Sequence, residues 1–190
     1  MEGFAAFGAA FALVALLELG DKTQLLVISL AAKHPPLPVA VGAFLGEASV
    51  TAIAVTIGIA IASVVDVFLL QLASGAIFIV LGVWNLRPKR AEEAEGVVVA
   101  RPFVNAAGLA FLAELGDKTM LAVIALSGAL QAPASVFLGA SIALLAMILV
   151  AIAVGRVLRR FLTARWLQLV SAALFILAGV LVIAEALLSG

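Results

Sequence analysis

The 190-residue chain contains no cysteine, no tyrosine and a single histidine, His34. Without cysteine there are no disulfides, no thiolate zinc sites and no thiol redox chemistry. One histidine cannot build a histidine-rich metal site or a histidine relay. Charge is also scarce: 12% of the residues are charged, against about a quarter in an ordinary soluble domain. Eleven basic and eleven acidic residues cancel, so net charge argues for no polyanion surface and nucleic acid is not an expected partner. What fills the space is apolar. Hydrophobic residues make up 66% of the chain and mean hydropathy is +1.32, which points to an integral membrane protein with the lipid bilayer as its partner.

Six apolar stretches are legible: Phe4–Ala32, Val39–Val64, Val67–Leu86, Val104–Leu130, Val136–Gly155 and Trp166–Leu187. Each reaches the ~20 residues that a helix needs to cross the hydrocarbon layer. The uncharged run from Thr119 to Gly155 is too long for one crossing, and Gly128, Gln131 and Pro133 divide it into a hairpin. Continuous apolar runs favour an α-helical bundle over a barrel. The start, Met1-Glu2-Gly3, lacks a basic region, so Phe4 onward is expected to be a permanent first helix. The charged stretch from Arg87, read as a solvated linker over 87–103, separates units at 1–86 and 104–190.

Loops after the first, third and fifth crossings share one side. They hold Lys33, then Arg87, Lys89, Arg90 and Arg101, then Arg156, Arg159, Arg160 and Arg165, while the opposite side has no basic residue. The positive-inside bias places this basic face in the cytoplasm and both termini outside it. In a prokaryote the expected location is the cytoplasmic membrane, multi-pass.

The two units repeat each other. Leu16 and Glu18-Leu19-Gly20-Asp21-Lys22-Thr23 recur as Leu112 and Glu114-Leu115-Gly116-Asp117-Lys118-Thr119, at an offset of 96. Gln71 to Phe78 matches Gln168 to Phe175 at an offset of 97, as Gly42, Gly58 and Gly82 match Gly139, Gly155 and Gly179. Three crossings per repeat is an odd number, so the second unit is expected upside down relative to the first. The predicted fold is an all-α membrane protein of six transmembrane helices arranged as two inverted three-helix repeats, a plan that in secondary transporters places the substrate near the midplane.

Glu18, Asp21, Lys22, Glu47, Glu114, Asp117 and Lys118 fall inside the apolar stretches. Each costs at least ~2.5–3.5 kcal/mol at the bilayer centre, so they should face one another or water. On continuous helices, Glu18 with Asp21 and Glu114 with Asp117 would share a face, and Glu18–Lys22 and Glu114–Lys118 would form ion pairs four residues apart. Gly20 and Gly116, without side chains, would allow close helix approach or let backbone carbonyls be reached. Four carboxylates less two lysines leave a charge of −2, suited to one divalent cation or two protons. Oxygen donors alone select hard cations such as Ca²⁺, Mn²⁺ or Mg²⁺, and Thr23, Thr119 and Gln24 add neutral oxygens. Glu47 stands apart, because Leu144 occupies its place in the other repeat; it is an accessory ligand, a proton carrier or a vestibule residue. A structural alternative is that the charges pair internally and only set helix register.

The duplicated Glu-Leu-Gly-Asp-Lys-Thr resembles the hallmark of the Ca²⁺/Mn²⁺:proton antiporters with Golgi, chloroplast and bacterial members, within the lysine-exporter superfamily. The resemblance spans the chain. It implies a transporter and not an enzyme, with Mn²⁺ or Ca²⁺ leaving the cytoplasm in exchange for protons and with Glu18, Asp21, Glu114 and Asp117 as ligands. It implies transported ions in place of a resident cofactor, and assembly into homo-oligomers stays open. The family motif commonly continues with Gln, as at Gln24, whereas the second copy has Met120. Export of amino acids or small organic cations, or passive cation conduction, are the alternative readings.

Overall fold

The computed structural model describes residues 2–19, 21–31, 33–86, 101–161 and 165–189, which form helices joined by short turns, with no strand among them. The helices are α1 (Glu2–Glu18), α2 (Lys22–Ala31), α3 (Pro36–Ala62), α4 (Val67–Asn85), α5 (Pro102–Glu114), α6 (Lys118–Leu130), α7 (Pro133–Phe161) and α8 (Arg165–Ser189). Residues 87–100 of the expected linker, Gly20, and the side chains of Lys22, Arg156, Arg159, Arg160, Arg165 and Gln168 lie outside the described residues.

Most expected boundaries hold. Pro36 starts α3 at a position where its missing N–H costs nothing. The hairpin between α6 and α7 turns at Gln131, in the left-handed region, just before Pro133. Two segments, α3 and Pro133–Ala153 of α7, are each long and apolar enough to cross a membrane.

The first and fourth apolar stretches depart from expectation, because each is two helices broken at the charged motif. In the second copy, Leu115 is extended (ψ 114°), Gly116 sits at φ +77°, and the Asp117 carboxylate caps α6 by accepting from the Lys118 N–H at 2.7 Å. In the first copy, α1 stops at Glu18 and α2 begins at Lys22. The reason is local: glycine loses about 1 kcal/mol against alanine inside a helix, and aspartate competes for backbone N–H groups and is best placed as a cap. The helical geometry expected for Glu18 with Asp21, and for the four-residue Glu–Lys spacings, is therefore interrupted. Gly116 is also needed for a different purpose than expected. A Cβ there would meet nothing within 4 Å, so the positive φ, and not helix approach, calls for glycine.

Helices pack mainly across the two units: α1 on α7, α5 on α3, and α4 on α8. Small residues permit this, and they do so in matched pairs. A Cβ on Gly42 of α3 would run into the Phe103 carbonyl and Ala106 of α5; one on Gly139 of α7 would run into the Phe7 carbonyl and Ala10 of α1. Gly75 and Gly179 oppose each other's carbonyls between α4 and α8 in the same way. Such close approach is how helices associate where no hydrophobic effect drives them together. Outward-facing Leu45, Ile53, Val80, Leu138, Ile142 and Leu181 are exposed, an apolar surface suited to acyl chains.

Gly42→Ala and Gly139→Ala should each destabilise the detergent-solubilised protein by about 1–3 kcal/mol, through overpacking against backbone that cannot yield. Gly8→Ala and Gly108→Ala, where a Cβ meets nothing, should cost no stability. Thermal unfolding of the four variants checks the contrast.

Candidate cation site

The two helix breaks meet in the interior of the bundle. Glu18 ends α1 and Glu114 ends α5; both are buried, as is Asp21 in the first break. One carboxylate oxygen from each of Glu18, Asp21 and Glu114 lies within 4.8 Å of the others. Each glutamate is oriented by the threonine of the opposite motif: the Thr23 hydroxyl donates to Glu114 Oε1 and the Thr119 hydroxyl donates to Glu18 Oε1, both at 2.7 Å. Both threonines are buried. The breaks themselves close alike, with the Asp21 N–H donating to the Glu18 carbonyl and the Asp117 N–H to the Glu114 carbonyl, each at 3.1 Å.

The lysine of the second motif also reaches across. Lys118 Nζ donates to the Leu17 carbonyl at 2.7 Å and to Asp21 Oδ1 at 2.9 Å. The ammonium thus satisfies a carbonyl freed by the end of α1 while neutralising one carboxylate. Three carboxylates against one ammonium leave two negative charges when all are ionised.

Of the expected site residues, Glu18, Asp21 and Glu114 come together, with Thr23, Thr119 and Lys118 bound to them. Asp117 is outside the three-carboxylate group and caps α6. Gly20 and the Lys22 side chain are outside the described residues. Gln24 and Glu47, both buried, line a cavity of about 10 Å³ together with Glu18, Val27, Leu144, Met147 and Ile148. Met120 turns its sulfur to the break, accepting from the Gly116 N–H at 3.3 Å. The threonine-to-glutamate and lysine-to-aspartate bonds between motifs were not foreseen. Their signal was the duplication itself, since identical motifs that meet can exchange partners.

The profile of the family described as "Divalent cation/proton antiporter GDT1" matches residues 6–93 and again residues 102–189. The chain belongs to this GDT1 family. It is a family of transporters, not of enzymes, and with the apolar helices this makes the chain an integral membrane protein. Among curated relatives, a Vibrio cholerae protein named "Putative manganese exporter" is 34% identical over 110 residues, covering 57% of this chain and 55% of that protein. Protein PAM71, chloroplastic, of Arabidopsis thaliana is 27% identical over 210 residues, covering 94% and 56%. A GDT1-like protein of Synechocystis is 31% identical over 144 residues, covering 64% and 69%. The aligned region thus spans just over half the length of the first two relatives. No solved structure shows significant similarity to the chain.

Removing either threonine hydroxyl frees a glutamate to turn away from the cluster. If the cluster holds Mn²⁺, Thr23→Val and Thr119→Val should each weaken its binding by about 10–100-fold, the usual cost of losing a hydrogen-bond partner of a ligand. Thr→Ser at either position should restore it. Calorimetric titration of the purified protein measures both.

Proposed function

We propose that the protein is a secondary transporter that exports Mn²⁺ and/or Ca²⁺ from the cytoplasm in exchange for protons. The observation that carries this reading is the buried trio of Glu18, Asp21 and Glu114 oxygens within 4.8 Å of one another, drawn from both motifs. A set of carboxylate oxygens suits hard divalent cations. Its two surplus charges are what one such cation, or two protons, would neutralise. If cation and protons compete for the same oxygens, the site never crosses the membrane as a bare anionic cluster, and that competition is the coupling of an antiporter. Membership of a divalent cation/proton antiporter family supports exchange of a divalent cation for protons, and the name of the Vibrio relative, a manganese exporter, supports Mn²⁺.

In this reading the chain crosses the membrane six times, with α1–α2 and α5–α6 each serving as one broken crossing. Residues 1–86 and 104–190 are inverted three-helix repeats joined by the 87–103 linker, with the basic loops in the cytoplasm and both termini outside. Broken helices at the midplane are the usual site-forming device of inverted-repeat transporters. The repeats rock about the site, and Asp117 replaces Asp21 in the cluster when the opposite side opens, so all four motif acids are ligands over the cycle. The small cavity beside Glu18 favours a bare ion over an amino acid, whose exporter would need a larger and more hydroxyl-rich pocket.

Asp21→Asn and Asp117→Asn should each reduce proton-gradient-driven Mn²⁺ flux in proteoliposomes to the level of protein-free vesicles. Undiminished flux in both variants would overturn the site. Acidifying the cation-loading side should raise the apparent KM for Mn²⁺, because protons occupy the oxygens the ion needs. Collapsing the pH gradient with a protonophore should abolish concentrative uptake; flux that only equilibrates Mn²⁺ down its own gradient and is indifferent to the pH gradient would indicate a channel.

A further inference from the structure

Glu47 takes no part in the hydrogen bonds that build the motif cluster. It lies in the middle of α3, is 2% exposed, and its Oε2 has no hydrogen-bond partner among the described residues. A buried carboxylate oxygen without a donor is costly, and native proteins keep such groups where a ligand completes them. Glu47 faces the cavity it shares with Glu18 and Gln24. The remaining walls are apolar: Val27, Leu144, Met147 and Ile148.

The direction of this cavity follows from the chain. Val27 is one turn beyond Thr23 and Gln24 on the way to Lys33, and Met147 and Ile148 are one turn beyond Leu144 on the way to Arg156. The cavity therefore lies between the motif cluster and the ends of α2 and α7 that lead to the basic loops. Leu144 is the counterpart of Glu47 at the offset of the duplication, and it lines the same space. One side of the site thus carries an extra carboxylate where the other repeat supplies a methyl-bearing side chain.

We propose that Glu47, with Gln24 and Glu18, forms a staging position for a divalent cation on the basic-loop side of the motif cluster, through which the ion reaches Asp21 and Glu114. A volume of about 10 Å³ admits a species the size of a water molecule or a dehydrated ion and nothing larger. The donors are an amide and two carboxylates, all hard oxygen ligands. This inference rests on the transporter reading and adds an asymmetric position to it.

The test compares wild type, Glu47→Gln, Glu47→Leu and Glu18→Gln for Mn²⁺ binding by calorimetry, Mn²⁺ transport in proteoliposomes, and thermal unfolding. Glu47→Gln should weaken binding about tenfold and lower kcat/KM by a similar factor, with KM carrying most of the change. Its unfolding midpoint should hold or rise, because a neutral amide is less costly to bury than an unpartnered carboxyl group that can ionise, and Glu47→Leu, which copies the residue of the other repeat, should behave alike. Unchanged affinity and KM in both Glu47 variants, with wild type active and Glu18→Gln inactive, would overturn the staging position and leave the transporter reading intact. A lowered midpoint with unchanged affinity would assign Glu47 a purely structural role, also overturning it. Wild type that neither binds nor moves Mn²⁺ would overturn both readings.

Discussion

Mutual repulsion among carboxylates governs this molecule. Two like charges about 4 Å apart cost about 4 kcal/mol even at an effective dielectric constant of 20, and here three acids approach within 4.8 Å in a bundle of alanine, valine and leucine. Lys118 answers one of them. In the proposed transporter the rest are answered by a cation or protons that come and go, and the surroundings hold the acids in place. The threonine hydroxyls fix which way Glu18 and Glu114 point, so neither can relieve the repulsion by rotating away. The helix breaks point chain ends at the cluster and give Lys118 a carbonyl, that of Leu17, on which to rest.

Holding that cluster requires the two motifs to meet, and the backbone packing achieves it twice over. Gly42 on Phe103 and Gly139 on Phe7 are the same contact made once by each unit on the other. Glu18, at the end of α1, is thereby carried in by α7, and Glu114, at the end of α5, by α3. In lipid there is no hydrophobic penalty for separating two greasy helices, so the van der Waals gain from small residues at these crossings is what brings the acids together. The energetic cost of the site and the close packing that sustains it are encoded by the same repeat.

The duplication, the helical class and three of the acids that meet, Glu18, Asp21 and Glu114, are legible in the sequence, because a charged hexapeptide repeated in an apolar run points to a shared ancestor unit; that Asp117 would stay outside the group is not. Nor is the geometry inside the motif. Spacing rules assume an unbroken helix, and on that assumption Glu18 and Asp21 lie on one face with lysine paired four residues away. Glycine and aspartate in sequence are also a stop and a cap, and in a span whose hydropathy is uniform the two readings differ only in where the backbone groups find partners. Here tertiary partners decide. Once Lys118 from the opposite unit caps the end of α1, breaking the helix costs little, and a single sequence segment carries no record of that lysine. Glu47 was readable as an anomaly, but its neighbour Gln24 comes from another helix, so the shared cavity was beyond any local pattern.

The departures from symmetry fall on one side. Gln24 lines the cavity, while its counterpart Met120 turns its sulfur to the Gly116 N–H and steadies the second break. A thioether is a poor ligand for a hard ion, so this placement keeps it out of the oxygen set and gives it a backbone role instead. Glu47 and Leu144 differ in the same sense. Both differences place an oxygen donor on α2 or α3 where the counterpart on α6 or α7 has a thioether or an alkyl side chain. A perfectly two-fold site would present identical ligands to either face, and the two half-cycles would bind the ion with equal strength. In the proposed alternating cycle, Gln24 and Glu47 on one side of the cluster would break that equality without disturbing the reciprocal threonine bonds, so affinity would differ between faces while the cluster itself stays balanced.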